Sequence, residues 1–187
     1  MRTRLVLGAA ALSALALAAP TALAAPAPAT LDGKKVTKLT LEATTTAQTH
    51  DDGLVSDQVT GLDRMQCESP RCAVLPFVYK PAKGVKGDVM FTLKWSSPGS
   101  DFDLYVVSVD KNGRTKLASC GGSAGSSEKV FLTADNFKKG KTYALLADFY
   151  RTPGEKVTGT VEMPGTNTIP SNVPEPVDSA ALINCTQ

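Results

Sequence analysis

Val89-Met90-Phe91-Thr92-Leu93-Lys94-Trp95-Ser96-Ser97-Pro98-Gly99-Ser100-Asp101-Phe102-Asp103-Leu104-Tyr105-Val106-Val107-Ser108-Val109 decides the fold class. Val89, Phe91, Leu93 and Trp95 alternate with Met90, Thr92 and Lys94. After a break, Phe102, Leu104 and Val106 alternate with Asp103, Tyr105 and Val107. A period of two is that of a strand burying one face. Ser96–Ser100, with Pro98 and Gly99, supplies the turn between two adjacent strands. Trp95, the sole Trp of the chain, shares the parity of Phe91 and Leu93 and is therefore expected in the core.

The same pattern recurs on either side. Ala73–Tyr79 reads as a strand, and Pro76, which cannot donate a ladder hydrogen bond, puts it at an edge or bulge. Asn112-Gly113 is a hairpin signal between Val109 and Thr115. Thr115–Cys120 and Glu128–Leu132 are short strands around the small-residue loop Gly121–Ser127. Thr142–Tyr150 is the last strong strand, with Tyr143, Leu145, Ala147 and Phe149 on one face. Val157–Met163 closes the domain. Beyond the first residues no 3.6-residue periodicity appears. Roughly six to eight short strands separated by Gly and Pro turns imply an all-β fold, a two-layer antiparallel β-sandwich of jelly-roll-like form.

The flanks set the domain plan. Arg2 and Arg4 precede an apolar run, Leu5–Ala19, and Ala22-Leu23-Ala24 has the small-x-small form of a cleavage site. Residues 1–24 therefore read as a secretory signal peptide. No later run approaches the ~20 apolar residues that span a bilayer. Residues 25–66 read as a linker, with a strand or an exposed polar ribbon at Lys35–Gln48 and a short strand at Leu54–Val59 as the candidate elements, 67–164 as the sandwich and 165–187 as an extended tail rich in Pro, Asn and Ser.

The chain carries 20 basic and 18 acidic residues, and the signal removes Arg2 and Arg4, so the mature protein is close to neutral. Nothing here resembles a nucleic-acid binder, which needs a concentrated basic face; Lys83, Lys86, Lys138, Lys139 and Lys141 sit beside turns and read as a solvated edge. Nothing sets the oligomeric state. Cys67, Cys72, Cys120 and Cys185 in an exported chain imply disulfides rather than a metal site. The pairing is formally open; Cys67–Cys72, enclosing a short loop, and Cys120–Cys185, tethering the tail, is the one expected. The longer closure would contribute about 2–4 kcal/mol.

Catalysis finds little support. Among the bases suited to a hydrolytic nucleophile only His50 is present, in the linker, and neither G-x-S-x-G nor H-E-x-x-H occurs. Asp101 and Asp103 lie too close in sequence to flank a sugar at the separation, about 5 or 9 Å, that glycoside hydrolysis uses. Two apart in a strand, they share a face. They could contribute to a calcium site, which needs about six to eight oxygens, with Asp110, Asp148 and Glu128 the candidates to complete it. The alternative is structural, Asp103 accepting bonds from turn amides. No other cofactor is indicated. Tyr105 and Tyr150 fall opposite the strongest apolar faces and are the candidate ligand-binding aromatics.

Asp101-Phe102-Asp103-Leu104-Tyr105-Val106, preceded by Trp95 and followed by Ser127-Glu128 and Gly140-Lys141-Thr142-Tyr143, resembles the bacterial pre-peptidase C-terminal domain over about Ala73–Met163. The resemblance implies a small β-sandwich of the kind attached to exported enzymes and associated with adhesion to collagen or polysaccharide, with secretion or maturation, and in some members with calcium. This chain departs from the family in having no preceding protease domain and in its cysteines. The expectation is a secreted, non-catalytic accessory or binding module for an extracellular polysaccharide or protein. The alternatives are a structural envelope-associated protein without a ligand, or a hydrolase.

Overall fold

A computed structural model describes residues 27–49, 54–55, 66–67, 72–121 and 125–164. Its strands are β1 (Ala29–Leu31), β2 (Lys38–Thr44), β3 (Gln48–Thr49), β4 (Leu54–Val55), β5 (Gln66–Cys67), β6 (Cys72–Tyr79), β7 (Val89–Lys94), β8 (Asp101–Val109), β9 (Thr115–Gly121), β10 (Ser127–Leu132), β11 (Thr142–Thr152) and β12 (Lys156–Glu162). They form one six-stranded sheet, ordered β1-β6-β11-β8-β9 with β3 added to β11, and one four-stranded sheet, ordered β10-β7-β12-β2. β4 and β5 pair separately. Among the described residues no helix is long and apolar enough to cross a membrane.

The fold is all-β, with two sheets packed face to face. Two details differ from the sequence expectation. The β1–β6 pair is parallel, the other sheet pairs being antiparallel. The sandwich also begins well before Cys67: β1 joins the larger sheet, and β2 pairs with β12 along its whole length, Lys38 opposite Glu162 through Thr44 opposite Lys156. The Thr-rich composition of β2 suits an edge strand as well as a linker, which is why composition alone does not separate them.

The alternating residues meet as their parity requires. Phe91, Leu93 and Trp95 from β7 and its end, Phe102, Leu104 and Val106 from β8, and Tyr143, Leu145, Ala147 and Phe149 from β11 share one core. β7 and β8, however, lie in different sheets, so the Ser96–Ser100 connection changes layer instead of making a hairpin. That segment can span roughly 17 Å when extended, enough for the ~10 Å between packed sheets. Each apolar face then covers the other from opposite sides, a burial that pairing within one sheet would forfeit.

The turn is held from a distance. Glu155, just after the Pro153-Gly154 bend, accepts the backbone N–H of Ser96 at 2.8 Å and of Ser97 at 2.9 Å through Oε2. Its Oε1 accepts the Ser100 hydroxyl. Glu155 is itself fastened to the end of β2: its N–H donates to Thr45 Oγ1 at 2.9 Å, and its carbonyl accepts the Thr45 N–H at 2.8 Å. Burial pushes the Glu155 carboxyl up, but the Ser100 hydroxyl and the two serine amides outweigh it and hold it below its usual range.

A second carboxylate, Glu128, is buried to 2 % exposure. It follows the parity of Val130 and Leu132 into the interior. Its Oε2 accepts the Leu104 N–H at 2.6 Å, tying β10 of one sheet to β8 of the other. The hairpin at Asn112-Gly113 forms as expected, with Gly113 at φ +77° and Asp110 accepting from the amides of Asn112 and Arg114.

Candidate functional site

At one open side of the sandwich, a cleft of about 380 Å³ lies between β2 and β6. Two facts of the topology produce it. β2 ends its sheet, and β1 covers β6 only at Phe77–Tyr79. The Cys72–Pro76 half of β6 therefore has no described strand on its side away from β11, as the missing N–H of Pro76 suits. Leu41, Ala43 and Phe149 supply apolar lining, Glu42 and Thr44 a polar side, and the Cys67–Cys72 disulfide one wall. Val74, also in the lining, is 39 % exposed, the one large hydrophobic side chain that the described part of the surface leaves open to this degree.

The Cys67–Cys72 bond is as the sequence suggests. Cys120 is also disulfide-bonded. The Cys185 end of the tether lies outside the described residues, as do His50 and the tail from 165 onward.

The aromatic candidates are placed differently from the expectation. Tyr105 does point away from the main core, but it is only 9 % exposed, packed in a second cluster with Cys72, Val107, Ala144 and Leu146 on the outer face of the larger sheet. Tyr150 is half-buried. The two tyrosines do not make an open platform. Parity gives the face on which a side chain lies; it does not say whether that face is covered. Trp95 is in the core, its ring centroid 5.0 Å from that of Phe102, and its buried Nε1 has no hydrogen-bond partner.

The acidic candidates divide between faces and ends. Asp103 sits directly across from Asp148 of β11, and Asp101 across from Arg151, so these four share the outer face. Glu128 lies in the interior and Asp110 is engaged with its own turn, where amide hydrogen bonds from Arg114 and Asn112, against a smaller effect of burial, hold its carboxyl below the usual range. Neither completes a site around Asp101 and Asp103. Among the described residues no group of three or more His, Cys, Asp or Glu side chains is placed to hold a metal ion.

Sequence reasoning did not reveal the cleft or the role of Glu155, both of which arise from contacts distant in the chain. The inward aspect of Glu128 was available from its parity.

No family model matches this chain. No curated protein matches it either. Among solved structures it is similar to the crystal structure of the Yersinia pseudotuberculosis-derived mitogen, with 10% sequence identity and a TM-score of 0.41 over 75% of this chain and 97% of that one. A likeness that loose assigns neither a family nor a function. The class that the coordinates define is an all-β, two-sheet protein with a disulfide beside an edge cleft.

Proposed function

We propose that this chain is an exported, non-catalytic module of jelly-roll form that binds an extracellular polymer or protein through the cleft between β2 and β6. The observation that carries the reading is the cleft itself: an apolar lining from Leu41, Ala43 and Phe149, polar groups from Glu42 and Thr44, and an exposed Val74 in its wall. Binding sites are concave, mainly apolar and edged with a few polar groups.

The strand orders β2-β12-β7-β10 and β6-β11-β8-β9 support the jelly-roll assignment, since the eight principal strands change layer at every step but the β8–β9 hairpin, in the manner of two Greek keys. Export rests on the basic, apolar and small-residue succession of residues 1–24, together with the disulfide-bonded state of the described cysteines, Cys67, Cys72 and Cys120. The likeness to the pre-peptidase C-terminal domain gains a physical rationale from Glu128: its bond to the Leu104 N–H couples the Asp-Leu-Tyr and Ser-Glu strings on which that likeness rests.

The test is retention of the mature, oxidised protein on chitin, cellulose, peptidoglycan and collagen, each with and without calcium. The expected result is retention on at least one matrix, lost in Val74→Asp while the circular dichroism spectrum is unchanged. Failure to bind any of them, or equal binding by Val74→Asp, contradicts the cleft as the binding site. Calcium dependence would return Asp101 and Asp103 to consideration as ligands.

A further inference from the structure

Strand β2 ends the smaller sheet, and among the described residues its ladder partner is β12 alone. Among the described residues no strand pairs with its backbone groups on the other side. Natural edges are commonly guarded by charged side chains, proline, a bulge, very short length or a covering loop. Of these β2 shows only charges, Lys38 and Glu42: it is seven residues long, contains no proline, and pairs with β12 in continuous register without a shift. The edge at β6 differs, since it carries Pro76 and is partly covered by β1.

The sequence of this edge is self-complementary. Lys38-Leu39-Thr40-Leu41-Glu42 has opposite charges at equal distances from Thr40, with a leucine between each charge and the centre. Side chains alternate along it, Lys38, Thr40 and Glu42 outward and exposed, Leu39 and Leu41 inward and half-buried. An antiparallel copy centred on Thr40 would set Lys38 against Glu42 of the second molecule, Leu39 against its Leu41, and Thr40 against its Thr40. Both charge pairs would form on the solvent side and both leucine pairs on the core side. Parallel pairing in register would instead oppose Lys38 to Lys38 and Glu42 to Glu42. Directly opposed unlike charges stabilise a sheet pair and like charges destabilise it, so the pattern selects one orientation.

We propose that β2 is a homodimerisation edge, on which a second copy of this chain docks antiparallel about Thr40 and joins two four-stranded sheets into one. The arrangement is isologous, with one two-fold axis relating both contacts. An edge of seven residues is small against the roughly 1,200–2,000 Å² of stable interfaces. The dimer is accordingly weak and concentration-dependent. Leu41 and Glu42 also line the cleft, so a second copy on this edge and an occupant of the cleft would compete.

The experiment is sedimentation velocity of the mature, oxidised protein from about 1 µM to about 1 mM, the range over which a weak association is populated. The wild type should shift from monomer to dimer. Lys38→Glu and Glu42→Lys each turn both intermolecular pairs into like-charge pairs and should weaken association at least roughly tenfold. The double variant restores both pairs with their signs exchanged and should return to within about threefold of wild type. Lys38 and Glu42 are both exposed, and urea denaturation of each variant serves as the check on its folding. The intramolecular contact of Glu42 with Lys156, 3.1 Å between two exposed side chains, is lost in Glu42→Lys, and Lys38→Glu sets a second acid opposite Glu162; the double variant keeps both intramolecular changes, so its recovery reports the intermolecular pairs. A wild type that stays monomeric up to 1 mM overturns the proposal, as do single variants that dimerise as tightly as wild type or a double variant that fails to recover.

Discussion

Replacing Glu155 by alanine removes the acceptor that holds the layer-changing turn. Three donors lose their partner: the Ser96 and Ser97 amides and the Ser100 hydroxyl. Ser96 is exposed and regains a bond from water, whereas Ser100 is only 5 % exposed and its hydroxyl is left poorly satisfied. Hydrogen bonds to a charged group contribute about 1.5–3 kcal/mol each and an unsatisfied buried group costs about 1–3 kcal/mol. Discounting the exposed contact, we expect a loss of about 2 kcal/mol, or roughly 4–8 °C in Tm for a domain of this size. Urea denaturation followed by Trp95 fluorescence is the assay, since that residue is buried and immediately precedes the turn.

The pH dependence gives an independent check. The folded Glu155 carboxyl titrates below the usual glutamate range. Its stabilisation is therefore present at neutral pH and lost as pH falls through the lowered folded-state value. The difference between wild type and Glu155→Gln should shrink over that range. A Glu155→Ala loss below about 0.5 kcal/mol, within the ordinary scatter of surface substitutions, would refute the reasoning, as would a Gln deficit undiminished in acid.

Other substitutions probe the packing. A Cβ at Gly159 would stand 3.2 Å from Leu145 Cδ2 and 3.3 Å from Leu41 Cβ, so Gly159→Val should overpack the space between the sheets and cost about 1–3 kcal/mol by urea midpoint. Trp95→Phe deletes a buried donor that has no acceptor, which offsets part of the lost ring contact. It should cost clearly less than the roughly 3–5 kcal/mol typical of Trp→Ala in a core, measured by circular dichroism melting. Intact mass after alkylation should show no modified cysteine in the oxidised protein and four after denaturing reduction.

Much of the core was legible from alternation alone. Phe91, Leu93 and Trp95, and likewise Tyr143, Leu145 and Phe149, face inward as their period of two requires. Parity also carries information about Glu128, which shares its phase with Val130 and Leu132. What alternation cannot supply is the choice of neighbour. β7 and β8 are consecutive and equally apolar, and either a hairpin or a change of layer satisfies their patterns; packing across the whole domain selects the latter. The same limit explains Tyr105, whose outward phase is correct while its burial depends on what covers that face. The cleft depends on where β1 stops along β6, and the turn clamp on a contact between residues 155 and 96; neither leaves a local trace.

The most direct test is a cross-strand NOE map of β7 in the oxidised protein. Leu93 should show backbone contacts to Glu128 on one side and Gly159 on the other, with β8 contacting β9 and β11 instead. A continuous ladder between β7 and β8, closing Ser96–Ser100 as a hairpin within one sheet, would contradict the two-layer arrangement on which the core, the turn clamp and the cleft all depend.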